Sequence, residues 1–228
     1  MMKPMQALFL SILASFGISI STAGAAEILI AKNDLGEPYL SISGRILIED
    51  GRKFTQAALS SDAAIVFLES AGGSIEAAIE IGKVIRLKGM TTIVADDDYC
   101  VSACGLIWLA GERRLLTPRA RVGFHATYVT KDNVRVESGT GNALVGRYLT
   151  LLNLPERAVV FATVAGPHKL NWLDASNKRA SGIDLETLEG VTNRTRAAAA
   201  ALAKAPVLTL SSLKQEAEQV SFQSGNRQ

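Results

Sequence analysis

Histidine and cysteine are scarce, with two of each in 228 residues. That count allows one zinc site at most, and the spacing argues against it. Cys100 and Cys104 have three residues between them, while His125 and His168 lie far downstream. Charge of one sign is also lacking. Lys and Arg number 24 against 22 Asp and Glu, a net charge of +2, and no basic cluster stands out. A nucleic-acid partner is therefore not expected. After the first apolar segment no second one follows, which excludes a multi-span membrane protein. There is no internal repeat. Neither a phosphate loop nor a dinucleotide fingerprint occurs, so no cofactor is expected.

What is present begins with a targeting signal. Lys3 supplies the positive start, residues 7–20 an apolar run, and residues 21–26 (S-T-A-G-A-A) small residues for cleavage after Ala25 or Ala26. Residues 1–26 are read as a signal peptide, with an uncleaved anchor as the alternative. Either way the folded part is expected outside the cytoplasm, periplasmic or secreted, in an oxidising compartment. Residues 27–189 are long enough for one α/β domain. Residues 190–228 hold an alanine-rich stretch and a polar tail, expected to pack loosely.

Residues 28–31, 39–43 and 45–48 are strand material around Gly36, Pro38 and Gly44. A short helix is expected over 54–59. Residues 63–68 (A-A-I-V-F-L) are uniformly apolar, as in a strand covered on both faces. Gly72-Gly73 then allows a sharp turn with exposed N–H groups. A helix follows, with Ile75, Ala78, Ile79, Gly82 and Ile85 on one face. Residues 91–95 read as the next buried strand, and Ser102 opens an apolar helix over 103–110. This βαβα order predicts a parallel sheet with both turns on one edge. The Gly-Gly amides would then lie close to Ser102, an arrangement suited to an oxyanion hole.

Ser102 has two readings. It is the N-cap of a buried helix, or a nucleophile at a helix start, where developing negative charge is stabilised. Residues 120–125 (A-R-V-G-F-H) form another short strand that would return His125 to the same edge. Cys100 and Cys104 flank the serine. An even count in an exported chain favours a disulfide. A zinc site and a nucleophilic Cys104 are the alternatives, the latter disfavoured inside an apolar helix.

Ser70-Ala71-Gly72-Gly73-Ser74, Ser102 followed by Ala110-Gly111, and Pro118 followed by His125 resemble the proteolytic subunit of the Clp protease, within the Clp/crotonase fold. The likeness covers residues 63–125 well and 144–184 weakly. It is strongest to exported Clp-like proteins with a C-x-S-A-C serine motif. The resemblance implies repeated ββα units with a mostly parallel sheet. It also implies Ser102 as nucleophile, His125 as base and the N–H groups of Gly73 and Ala103 as oxyanion hole. Ala71 stands where that family usually has proline. Where the family carries its acid, residues 165–168 (A-G-P-H) hold no carboxylate. Asp174 is the nearest acid and reads better as the cap of a helix starting at Ala175; Asp132 and Asp184 are weaker candidates. Two helices, over 141–152 and 155–165, occupy the place of a longer handle used in ring assembly, and the shorter region argues against that family's stacked double ring; a homo-oligomer stays open.

The function expected is an exported, ATP-independent serine hydrolase acting on peptides or proteins, with no ATPase partner. The alternative is a catalytically inactive binding or scaffold protein on the same fold.

Overall fold

The computed structural model describes residues 24–33 and 35–188. The expected signal peptide, up to residue 23, and the expected alanine-rich stretch and tail, from residue 189 on, lie outside the described residues.

The uniformly apolar run forms β3 (Ile65–Glu69), whose first four residues are buried. Successive side chains on a strand point to opposite faces. Val66 and Leu68 therefore enter the main core, while Ile65 and Phe67 join a smaller cluster on the other side with Ile93, Leu115 and Leu188. β3 is central to a six-stranded sheet. Its order is β1 (Glu27–Lys32), β2 (Pro38–Ser43), β3, β4 (Thr91–Val94), β6 (Arg114–Leu116) and β11 (Glu186–Thr187). Only the β1–β2 pair is antiparallel. The result is an α/β fold with a mostly parallel sheet, as expected.

Helices α1 (Asp50–Leu59), α2 (Ile75–Leu87) and α3 (Ala103–Leu109) build the main core. Phe54 of α1 is fully buried, which contributes about 1.5–3 kcal/mol. α2 is capped by Ser74, whose hydroxyl accepts from the Ala77 N–H at 3.2 Å. It buries Ala77, Ala78, Ile81, Gly82 and Ile85, so the inward stripe is turned slightly from the expected one. Every residue of α3 is buried. Thr92 Oγ1 donates to the Trp108 carbonyl at 2.7 Å and ties this helix to β4.

A second sheet of three strands has the order β10 (Asn171–Leu173), β7 (Arg121–Phe124), β5 (Tyr99–Val101). The two sheets are joined at Ser70, just past β3. Its N–H donates to the Tyr99 carbonyl at 3.0 Å, and its carbonyl accepts from the Val101 N–H at 2.9 Å. A two-stranded hairpin follows, β8 (Tyr128–Lys131) with β9 (Val134–Glu137). Then come α4 (Gly139–Leu151), α5 (Glu156–Thr163) and the short α6 (Lys178–Ser181). Among the described residues no helix is long and apolar enough to cross a membrane.

Three expectations change. The strand leading into Ser102 is β5 of the second sheet, not 91–95, so the two turns do not share one sheet edge. The Ser70 junction brings them together instead. Residues 45–48 form no strand but an arm touching the rest through isolated bridges, Ala25 to Arg45 and Ile46 to Gly73. Finally, the helix after Asp174 starts at Lys178, three residues later than expected.

Candidate active site

Ser102 follows the last residue of β5 and precedes the first of α3. Its backbone has φ +59° and ψ −122°, a region that non-glycine residues rarely enter and that costs on the order of 1–3 kcal/mol. Several contacts hold it there. Its N–H donates to the Gly123 carbonyl at 2.7 Å. Cys100 and Cys104 form a disulfide across the turn, with Cα atoms 5.1 Å apart. Neither sulfur is therefore a thiolate, and neither the zinc nor the cysteine-nucleophile reading applies to this form. Among the described residues no group of three or more His, Cys, Asp or Glu could hold a metal.

Although Ser102 occupies the N-cap position, its hydroxyl makes no capping hydrogen bond. The capping reading is thus corrected: the side chain is not used to start the helix.

Gly72 packs directly on this turn. A Cβ built on it would lie 2.6 Å from the Val101 carbonyl oxygen, 2.8 Å from Ser102 Cβ and 3.0 Å from the Ala103 nitrogen. Only glycine permits this approach at φ +94°. The residue-46 arm clamps the turn from the other side. The Ile46 N–H donates to the Gly72 carbonyl at 3.0 Å, and the Ile46 carbonyl accepts from the Ser74 N–H at 2.9 Å. Between these bonds the Gly73 N–H has no partner among the described residues, and the Ala103 N–H has none either. The first N–H groups of a helix have no intrahelical acceptor.

His125 arrives by strand register. β5 and β7 run parallel with Val101 opposite Gly123, so Ser102 and His125 lie just past the same ends of two neighbouring strands. The histidine Nδ1 is 2.7 Å from the Ala126 carbonyl oxygen. A carbonyl only accepts, so Nδ1 is the donor in this contact, and the acceptor nitrogen of the neutral ring is Nε2. The Ala126 peptide is itself held, its N–H donating to the Ala165 carbonyl at 2.7 Å.

Ser102, Ala103, Gly72, Gly73 and His125 all line one cleft of about 960 Å³. The sequence-predicted serine, histidine and amides are thus brought together. The acids are not. Asp174 accepts from the Ser176 N–H at 2.8 Å and the Asn177 N–H at 3.3 Å, and also from the Ser176 hydroxyl. The Ser176 hydroxyl is the main reason its carboxyl is held below the usual range; both backbone N–H groups and the nearby Arg121 add to this against partial burial. Asp132 sits in the β8–β9 turn at φ +48°, and Asp184 is exposed. None of the three lines the cleft. The acid that does is Glu76, which accepts from the Ser74 hydroxyl at 2.8 Å.

Sequence reasoning missed the hairpin wall. The Tyr128 ring lies 5.5 Å from the His125 ring. Arg135 covers the other aromatic contact, 4.8 Å from the Tyr128 ring centre, and donates to the Pro167 carbonyl at 3.2 Å. The signal was there: β-formers flank Asp132-Asn133, a pair suited to a two-residue turn, and both have positive φ. His168 also lines the cleft and is exposed.

No family model matches the chain, and no curated protein matches it in sequence. Solved structures do. A mutant of the 1510-N membrane-bound stomatin-specific protease aligns with a TM-score of 0.51 at 15% identity, over 65% of this chain and 77% of that one. Another mutant of that protease, in complex with a substrate peptide, aligns with a TM-score of 0.51 at 17% identity, over 64% and 72%. ClpP1 from Listeria monocytogenes aligns with a TM-score of 0.49 at 21% identity, over 66% and 91%. What this chain shares with the stomatin-specific protease is the fold, and that fold is the Clp/crotonase fold.

Proposed function

We propose that the chain is an exported serine hydrolase that cuts peptide bonds without ATP. One observation carries the reading: a serine hydroxyl with no capping bond, on a high-energy turn, lines the same cleft as a histidine whose Nδ1 is already bonded. A fold usually relaxes such a turn unless function retains it.

The chemistry follows. Nε2 of His125 takes the Ser102 proton as the oxygen attacks a carbonyl carbon. The oxyanion accepts from the Gly73 and Ala103 N–H groups, each worth about 3–4 kcal/mol to the transition state. His125 then passes the proton to the leaving amine, and water releases the acyl group by the same route. A peptide fits the cleft volume, and it is what the fold-sharing protease is bound to in one of its structures. The N-terminal succession of Lys3, an apolar run and small residues supports export, and an exported enzyme has no ATP supply.

A serine-directed fluorophosphonate tests this on the purified protein. Covalent label on Ser102 alone, lost in Ser102→Ala, is expected. Label that survives Ser102→Ala would show that another residue is the nucleophile. A second reading, a binding protein on the same fold, is favoured by the absence of any carboxylate on His125 among the described residues. A folded protein that neither labels nor cuts peptides would count for that reading and against the hydrolase.

A further inference from the structure

Asp50, the first residue of α1, is fully buried. Its Oδ2 accepts from the Leu47 N–H at 2.8 Å and from the Ala26 N–H at 3.1 Å. Its Oδ1 meets Lys53 Nζ at 2.9 Å, and that lysine side chain is 47% exposed. One half-solvated cation is thin compensation for a buried carboxylate. Leu47 directly follows Ile46, whose N–H and carbonyl clamp the two sides of Gly73. Asp50 thus anchors the arm that presents the Gly73 N–H to the cleft, and it anchors it to Ala26.

Ala26 is buried at 6% exposure, Ala25 is half-buried and Gly24 is exposed. Ala23-Gly24-Ala25 supplies the small residues that export-type cleavage requires on its leader side. We infer that the chain is cut between Ala25 and Ala26, and that the new Ala26 ammonium pairs with Asp50 and fixes the arm behind Gly73. Hydrolysis adds one water, leaving a carboxylate on Ala25 and an amine on Ala26. That amine is largely protonated at neutral pH, with an ordinary pKa of about 7.7–8.0. The donor to the Asp50 carboxylate changes from a neutral amide to an ammonium, so the hydrogen bond becomes an ion pair as well. A cut one residue later would remove Ala26 and with it this partner of the carboxylate. Asp50 is then a positioning residue, acting through Ile46 on the oxyanion turn. The inference rests on the hydrolase reading for the role of Gly73, but not for the ion pair.

The test uses the full chain, exported with its own leader. It compares the wild type, an insertion of Gly-Ser between Ala25 and Ala26, Asp50→Asn, and the double variant. N-terminal sequencing of the wild type should begin at Ala26. In each single variant, hydrogen exchange at the Ser74 amide should rise by at least about tenfold, the scale of losing a charge-assisted bond. The maximal fluorophosphonate labelling rate should fall while the half-saturating concentration holds. The double variant should be no worse than the worse single one, because both remove the same pair. A mature chain starting anywhere but Ala26, unchanged exchange in either single variant, or additive effects in the double would overturn the inference. If the wild type does not label, the hydrolase reading fails, and sequencing and exchange still decide the ion pair.

Discussion

Position 102 sets backbone comfort against chemistry. Glycine or asparagine would enter positive φ more readily, yet the residue there is a serine with its hydroxyl free of the helix start. Its prominence was legible in the sequence, because it stands alone between two cysteines ahead of an apolar run. That it does not cap the helix was not legible, since a serine can cap and the local φ, ψ decide whether it does. The orientation of His125 was hidden for another reason: its partner is a main-chain carbonyl, which every residue carries. His125→Ala should slow fluorophosphonate labelling of Ser102 by at least about a hundredfold, the usual worth of a positioned base. Asp174→Ala should leave the labelling rate within about twofold and lower stability by about 1 kcal/mol in denaturant unfolding, because Asp174 does not cap the helix but accepts from Ser176 and Asn177 in the turn before it. Because its folded pKa is lowered, the Asp174 contribution is present above the ordinary value of 3.8 and fades as pH falls through the lowered one. Loss of labelling in a folded Asp174→Ala protein would instead make that carboxylate catalytic.

Elements with strong apolar character were readable, and short or polar ones were not. β3 and α3 follow from uninterrupted apolar runs. β5 has three residues, too few for a period, and it exists because β7 and Ser70 supply its hydrogen bonds. Residues 45–48 have strand composition, but two of their partners are the Gly-Gly turn and Asp50, so the segment became a brace. The weak β11 stays on the sheet through a two-pronged ion pair. Arg113 Nε donates to Glu186 Oε1 at 2.7 Å and Nη2 to Oε2 at 2.5 Å. These bonds hold the Glu186 carboxyl below its ordinary value of 4.5 against partial burial. Their stabilisation is therefore full above pH 4.5 and lost as pH falls through the lowered pKa. The Glu186 side chain is 44% exposed, so solvent screening keeps the contribution to about 0.5–1 kcal/mol. Unfolding midpoints of wild type and Glu186→Gln should differ at pH 6 and converge toward pH 2. A constant gap across that range would show that the pair is not what holds the strand.

At the scale of the molecule, the cleft lies where two sheets and a hairpin meet, and each contributes one part. The six-stranded sheet delivers the glycine turn, the three-stranded sheet delivers Ser102 and His125, and β8–β9 closes the side with Tyr128 and Arg135. The α/β class was legible because apolar periodicity and strand order dictate it, and the same order puts Ser102 and His125 just past the same ends of two neighbouring strands. The division into two sheets was not, since it turns on backbone bonds at Ser70. On the hydrolase reading the substrates are short or unfolded chains. An internally quenched peptide should be cut at the same rate with and without added ATP, and a tightly folded protein should not be cut. Activity that requires ATP and a ring-shaped partner would contradict this.

The carbonyl that orients His125 has a genetic consequence. A triad offers three codons at which a single change can silence the site. On the hydrolase reading the group that takes the third place here is the Ala126 carbonyl, which any residue at that position still carries. Mutation cannot delete this acceptor; it can only displace it, by altering the contact that holds the Ala126 N–H to Ala165. A survey of relatives that counts acids near the histidine would therefore score sites of this kind as dead. Inactivation by drift would instead leave its mark at Ser102, His125, Gly72 and Gly73.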